Sequence, residues 1–157
     1  MKSKLIPLVI LLALFCLSVW LPNSCMSSEN TTPIKWYSYD DGMARAKETH
    51  KKVFLNFYAD WCGFCKKMDN GTFKDSAVVD YLQKNFISIK VNSDKQKEIA
   101  ASYYVRGLPT SWFLADDGEK ISSLPRYSPP EELINILKFI NTESYQKMKY
   151  SDFVKNM

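Results

Sequence analysis

Apolar positions along the chain form two kinds of pattern, short unbroken runs and groups at helical spacing. The runs at residues 53–58 and 86–91 predict strands, and the first of these strands is buried on both faces. Val78, Val79 and Leu82 recur at helical spacing and predict a helix with one apolar face. The same spacing returns near the C-terminus at Leu133, Ile136, Leu137 and Ile140.

Short polar side chains indicate where the helices begin. Ser38 is expected to open a first helix, and Asp75 to cap a second one. Ser128 is expected to cap the last helix, with Pro129 at the first helical position and Glu131 completing a capping box.

The other predicted elements are an edge strand at residues 34–37, a helix at 95–104, and a hairpin with strands at 111–114 and 120–124. Strands that alternate with helices, followed by a hairpin and a closing helix, indicate an α/β sandwich around a mixed sheet. We expect the folded domain to cover residues 29–143 and a short amphipathic helical tail to cover residues 144–157.

Residues 1–28 are predicted to be a leader and a linker. A basic start, with Lys2 and Lys4, precedes a largely apolar run at residues 5–21. This pattern is typical of an export signal, and the length of the run also suits an uncleaved membrane anchor. In a third alternative the protein is a lipoprotein in which Cys25 carries the lipid. We therefore expect a periplasmic or other extracytoplasmic protein, either secreted or held to the membrane by this segment.

The charge balance argues against one class of partner. The chain has 21 basic and 17 acidic residues, and without Lys2 and Lys4 the basic count falls to 19. The basic residues are scattered along the chain rather than concentrated in one stretch. The sequence therefore predicts no binding to nucleic acid.

Cys62 and Cys65 follow the predicted strand at residues 53–58 and precede residues that suit a helix. The first turn of a helix offers unpaired N–H groups and a positive dipole end, which would favour the thiolate form of Cys62. Such settings lower a cysteine pKa from about 8.5 to roughly 3.5–7.5, and the thiolate is the nucleophile. Cys65 would then attack a mixed disulfide formed at Cys62 and release the substrate.

Structural and metal-binding roles for the cysteines are alternatives. A purely structural disulfide across four residues would contribute about 1.9 kcal/mol in the loop-entropy model, against about 3 kcal/mol for a fifteen-residue loop. A zinc site usually needs four ligands, and the domain offers only Cys62, Cys65 and His50. A c-type haem needs histidine after the second cysteine, where this chain has Lys66. The position between a strand and a helix favours redox chemistry.

Two segments carry a resemblance to a known family: residues 57–66 read FYADWCGFCK and residues 107–110 read GLPT. Together they resemble the thioredoxin superfamily. The leader and residues 72–75 make the chain most similar to exported thioredoxin-like thiol–disulfide oxidoreductases and to the C-terminal domain of membrane thiol–disulfide interchange proteins. The resemblance implies a thioredoxin fold, with a mixed central sheet of about four strands plus a short N-terminal strand, flanked by helices.

The resemblance also implies roles for individual residues. Cys62 would attack, Cys65 would resolve, and the Leu108–Pro109 bond would be cis and packed beside the two sulfurs. The residues expected to bind substrate or to shape the site are Trp61, Gly63, Phe64, Leu108 and Pro109. No metal is expected, and no cofactor other than the redox-active disulfide itself.

One departure from the family pattern concerns proton transfer. Related proteins usually have a buried aspartate where this chain has Asn56, and that carboxylate helps to deprotonate the resolving cysteine. Lys90 matches the lysine that often lies beside it. Asp60 or Lys90 could therefore take over the proton transfer, but we expect water to do so and resolution to be slower.

We expect the protein to be a thiol–disulfide oxidoreductase that reduces disulfides of exported proteins, with oxidation or isomerisation as alternative directions. A membrane electron donor would recharge the dithiol, and the protein would be a monomer. The alternative from another class is a module on the same fold that binds copper or a client cysteine without turnover.

Phe64 occupies a position where many thioredoxins have proline, and it keeps the backbone N–H that proline lacks. We expect this N–H to lie towards the Cys62 thiolate and to lower its pKa modestly. Titration of the thiolate absorbance should then give a lower Cys62 pKa in the wild type than in a Phe64→Pro variant. An equal or higher wild-type pKa would contradict this hypothesis.

Overall fold

Strand β2 (Lys52–Tyr58) is the centre of the sheet. It pairs in parallel with β3 (Phe86–Asn92) and antiparallel with β4 (Thr110–Leu114). β1 (Trp36–Tyr37) lies outside β3, and β5 (Lys120–Leu124) lies outside β4, so the five-stranded sheet has the order β1-β3-β2-β4-β5. The structure is a computed structural model and describes residues 33–157.

Six α-helices occur in the described part of the chain. They are α1 (Tyr39–Thr49), α2 (Gly63–Asn70), α3 (Ser76–Asn85), α4 (Lys97–Ser102), α5 (Pro130–Asn141) and α6 (Tyr150–Lys155). The 3₁₀ turns Thr72–Lys74 and Ser144–Gln146 follow α2 and α5. The predicted alternation of strands and helices, with a hairpin and a closing helix, is confirmed.

Each face of β2 is covered by helices. Phe54 belongs to a core cluster with residues of α2, α3 and α5, among them Met68 and Leu133. The alternate residues Val53, Leu55 and Phe57 belong to a second cluster with residues of α1 and α4. Burial on both faces explains why β2 is an almost unbroken apolar run, as predicted.

Helix α1 packs unusually close to the sheet. A Cβ atom at Gly42 would lie 2.3 Å from Cγ1 of Ile89, a distance that real Cβ contacts do not show. Glycine at this position therefore allows the helix backbone to approach β3.

The prediction for the start of the last helix was wrong by one residue. Pro129, not Ser128, is the N-cap of α5, and its backbone is extended, with ψ 164°. Pro130 follows it, and a residue before proline is disfavoured in the helical region. Ser128 is instead buried and donates to Glu132 at 2.8 Å, so neither Ser128 nor Glu131 forms the predicted capping box.

Helix α4 is shorter than the predicted helix at residues 95–104. The Asn92 side chain accepts hydrogen bonds from the N–H groups of Asp94 and Lys95, which holds this stretch in a turn. At the other end, Tyr104 has a φ of 53°, a left-handed conformation that a helix cannot continue through. Local backbone geometry, rather than the spacing of apolar residues, therefore sets both ends of α4.

The chain after α5 packs on Phe139 through aromatic contacts. The ring of Phe139 lies 5.5 Å from that of Tyr150 and 5.2 Å from that of Phe153, both in α6.

The predicted leader at residues 1–28 and the predicted lipid-bearing Cys25 lie outside the described residues. Within residues 33–157, no helix has the length and apolar character needed to cross a bilayer.

Both edges of the sheet are poorly suited to further strand pairing. β1 has only two residues. β5 carries exposed Lys120, Ser122 and Ser123. Short or polar edges discourage the addition of a strand from another chain.

Asp75 caps α3 by accepting a hydrogen bond from the N–H of Val78 at 3.1 Å. We expect an Asp75→Ala variant to lose about 1 kcal/mol of unfolding free energy, because this N–H loses its partner. Urea denaturation followed by circular dichroism would measure the loss. Asp80→Ala is the matched control, since it removes an exposed carboxylate from the same helix without removing a cap. Equal stability of the two variants would contradict the assignment.

Candidate active site

The two cysteines lie at the junction between β2 and α2. Cys62 is the N-cap of α2 and has an extended backbone, and its N–H donates to the carbonyl of Ala59 at 3.1 Å. Cys65 lies in the first turn of the same helix. Their sulfur atoms are joined in a disulfide, and the two Cα atoms are 5.2 Å apart. The strand and the helix therefore hold the two side chains together, as the spacing predicted.

The surroundings of Cys62 favour a thiolate after reduction. The N–H of Cys65 donates to Cys62 Sγ at 3.1 Å. The sequence prediction assigned such a donor to Phe64, but in the oxidised site the N–H that reaches this sulfur belongs to Cys65. The N-terminal end of α2 adds its partial positive charge. Both features stabilise negative charge on Cys62.

The disulfide is largely buried. Cys62 is 4% exposed and Cys65 is 3% exposed, and both pack with Ala59, Tyr58 and Leu108. Leu108 precedes Pro109 through a cis peptide bond, and Pro109 is buried. The loop at residues 107–110, far away in sequence, thus forms one wall of the site.

Exposed aromatic rings flank the buried sulfurs. Trp61 is 70% exposed and Phe64 is 61% exposed. Trp61 Nε1 donates to Asp94 Oδ2 at 2.8 Å, which fixes the indole ring. Gly63, between them, is exposed, and a Cβ there would meet no atom within 4 Å. The surface at Gly63, next to the disulfide in sequence, is therefore open.

The proton-transfer candidates are engaged in other contacts. Asn56 is 2% exposed and donates to Ser111 Oγ at 3.1 Å. Lys90 is the register partner of Asn56 on β3, and its ammonium pairs with Asp69. Asp60 forms an ion pair with Lys95 at 3.2 Å and is mostly exposed.

Asp69 was not among the predicted site residues. It lies four positions after Cys65 on α2, and residues at this spacing lie on the same side of a helix. Its carboxylate provides the negative partner for Lys90 that Asn56 cannot provide. The i, i+4 spacing from Cys65 was the sequence signal that could have identified Asp69.

Tyr127 was also missed. Its ring centroid lies 6.2 Å from that of Phe64, although the two residues are far apart in sequence. Tyr127 belongs to the loop between β5 and α5, and no local pattern indicates which part of the site such a loop contacts.

In the described part of the chain, no three His, Cys, Asp or Glu side chains are grouped to hold a metal ion.

Residues 39–141 match a protein family described as a thioredoxin-like domain. The chain belongs to this thioredoxin-like family. The match covers all the elements that build the site, from α1 to α5. The predicted membership and the predicted fold, a five-stranded mixed sheet with a short N-terminal strand, are both confirmed.

Curated relatives include thioredoxins and larger thiol–disulfide proteins. A thioredoxin of Mycoplasmoides gallisepticum is 36% identical over 90 residues, which cover 57% of this chain and 85% of that protein. The thiol:disulfide interchange protein DsbD of Photorhabdus laumondii is 38% identical over 78 residues. Those residues cover 48% of this chain but only 14% of that DsbD, so the chain corresponds to a small part of the larger protein.

Solved structures show the same fold. A thioredoxin from Thermus thermophilus superposes with a TM-score of 0.64 at 25% identity, covering 69% of this chain and 88% of that one. A thioredoxin-fold protein from Helicobacter pylori gives a TM-score of 0.61 at 22% identity, covering 74% and 92%. The family match, the thioredoxin relative and the Cys62–Cys65 disulfide together identify this chain as a thiol–disulfide oxidoreductase.

Restoring the family carboxylate tests the role of Asn56. An aspartate at this buried position would have a raised pKa and could accept the proton of Cys65. We expect Asn56→Asp to release the mixed disulfide about tenfold faster or more, because a positioned base typically contributes at least that much. Rapid-quench analysis of a preformed mixed disulfide would measure the rate. Asn56→Leu is the control without an acid group, and an unchanged rate in Asn56→Asp would contradict the hypothesis.

Proposed function

We propose that this protein reduces disulfides in exported proteins and works outside the cytoplasm. The observation that carries the proposal is the Cys62–Cys65 disulfide at the first turn of α2, with the neighbouring residues Trp61 and Phe64 exposed. The export-like pattern of residues 1–21 and the similarity to DsbD proteins support the location. The similarity to thioredoxins supports the reducing direction.

The reaction begins with the reduced dithiol. The Cys62 thiolate attacks one sulfur of a client disulfide, and the other client sulfur leaves as a thiolate that takes a proton from solvent. Cys65 then loses its proton and attacks Cys62 Sγ, which breaks the mixed disulfide and releases the second client thiolate. Two electrons pass to the client, and the product on this chain is the disulfide that the structure contains.

The residues around the disulfide have proposed supporting roles. Trp61, Phe64 and Leu108 contact the client, while Gly63 leaves room above the sulfurs and Pro109 shapes the wall beside them. Water accepts the Cys65 proton. Support for this role comes from the ion pairs that engage both other candidates, Lys90 with Asp69 and Asp60 with Lys95.

The remaining features concern the setting in which the protein works. A membrane electron donor returns the disulfide to the dithiol, and the N-terminal segment holds a monomer at the membrane. The similarity to DsbD proteins supports such a donor. The direction of electron flow depends on the reduction potential of the couple, because the same chemistry also runs in the oxidising and isomerising directions.

Two measurements on the full chain test the proposal. We expect insulin to be reduced catalytically with dithiothreitol as donor, and we expect a Cys62–Cys65 potential nearer to about −270 mV than to about −180 mV. A potential near the upper value would contradict the reducing direction. Stoichiometric copper binding without turnover would instead support a binding module.

Variants of the two cysteines test their separate roles. Cys65→Ser should accumulate a mixed disulfide with insulin, because attack by Cys62 remains but resolution is lost. Cys62→Ser should form no such adduct and have no activity, since the nucleophile is absent. Non-reducing gels and mass spectrometry would identify the adduct. An adduct with Cys62→Ser but not with Cys65→Ser would show that Cys65 is the nucleophile and Cys62 the resolving cysteine.

A further inference from the structure

We propose that Phe64 and Tyr127 form a rigid aromatic platform beside the disulfide, and that Lys67 at its margin gives it a preference for acidic clients. The preferred client segment has an aromatic or large aliphatic residue and a carboxylate close to its reactive cysteine. This inference rests on the proposed function and names the clients that the site prefers.

The platform lies directly beside the reactive sulfurs. Phe64 lies between the two cysteines in sequence and leaves 61% of its surface exposed. Its ring centroid is 6.2 Å from that of Tyr127, with an angle of 41° between the planes, which is a favourable distance for two aromatic rings. An exposed Phe64 ring backed by the half-buried Tyr127 ring offers apolar area to a client side chain.

A hydrogen-bond network holds the loop that carries Tyr127. The Arg126 guanidinium donates to the carbonyl of Tyr127 at 3.2 Å and to Glu132 Oε2 at 2.8 Å. Ser128 Oγ donates to the same carboxylate oxygen at 2.8 Å. The hydrogen bond from Arg126 holds the pKa of Glu132 below its usual range, so the network is charged at neutral pH.

A second connection joins this loop to the chain after the cysteine-bearing helix. Thr72 Oγ1 donates to the carbonyl of Ser128 at 2.7 Å, and both residues are fully buried. Thr72 follows the end of α2, which also carries Phe64. The two rings are therefore fixed relative to each other before a client arrives, and less conformational entropy is lost on binding.

A positive charge lies against the platform, because Lys67 Nζ is 4.6 Å from the centre of the Tyr127 ring. Two acidic groups of the surrounding elements already have partners, since Glu132 pairs with Arg126 and Asp69 pairs with Lys90. A client carboxylate at the platform would therefore meet the Lys67 ammonium.

The charged residues around Trp61 differ from those around the platform. Trp61 donates to Asp94, and Asp60 pairs with Lys95. Two carboxylates against one ammonium make this side slightly negative. An acidic client residue is therefore favoured on the Phe64 side and disfavoured on the Trp61 side, which also orients the client segment.

Three disulfide-linked peptide dimers test the preference with the full chain in detergent. They carry phenylalanine and glutamate, phenylalanine and lysine, or two serines beside the cysteine. We expect wild-type kcat/KM to be roughly fivefold higher with phenylalanine and glutamate than with serines, from one added aromatic contact. The advantage of glutamate over lysine should decrease as salt is raised, because exposed charges are screened. Equal rates for the three peptides would overturn the inference.

Variants locate the preference on the platform. Tyr127→Ala should lose most of the advantage of the aromatic peptides, and Lys67→Glu should reverse the order of the glutamate and lysine peptides. Tyr145→Ala is the matched control, since this tyrosine packs on Phe139 and should leave the ratios unchanged. Phe64→Ser provides a second test, because the exposed Phe64 side chain can be replaced without disturbing the core. Unchanged ratios in both Tyr127→Ala and Phe64→Ser would exclude the platform.

The serine peptide and hydroxyethyl disulfide separate this inference from the proposed function. If the wild type reduces neither of them, the proposed reducing function fails. If it reduces both but does not discriminate among the peptides, only the platform fails.

Discussion

The chemistry of this protein depends on the hydrogen-bonded junction between β2 and α2. Cys62 ends the extended chain and caps the helix, and the N–H of Cys65 points at its sulfur. This geometry is stable because both faces of β2 are buried and α2 packs into the core through Met68. The cores thus keep the two sulfurs in position while the rim remains open to solvent.

Electrostatics around the resolving cysteine differ from the pattern expected for the family. The buried position on β2 is neutral in this chain, since Asn56 donates a hydrogen bond to Ser111. The carboxylate that neutralises Lys90 comes instead from Asp69 on α2. The negative charge beside Lys90 therefore lies on a partly exposed helix in this chain, rather than at the buried strand position expected for the family. Solvent screens a charge in that position.

Much of the fold could be predicted because local patterns determine it. Burial on both faces makes β2 an apolar run, and the Asp75 cap is a local interaction of the backbone. The start of α5 was misplaced because consecutive prolines force the first of them, Pro129, out of the helical region. The helical spacing from Cys65 could have placed Asp69 near the site, but its pairing with Lys90 and the contact of Tyr127 with Phe64 form only when distant elements pack together.

The two edges of the sheet have a consequence for the proposed reduction of client proteins. A client chain that is not fully folded would expose backbone groups that can extend a sheet. β1 is too short to template such pairing, and the lysine and serines on β5 keep its outer face hydrated. Under the proposed function, clients would therefore be held through side chains near the sulfurs and released, without being trapped as an additional strand.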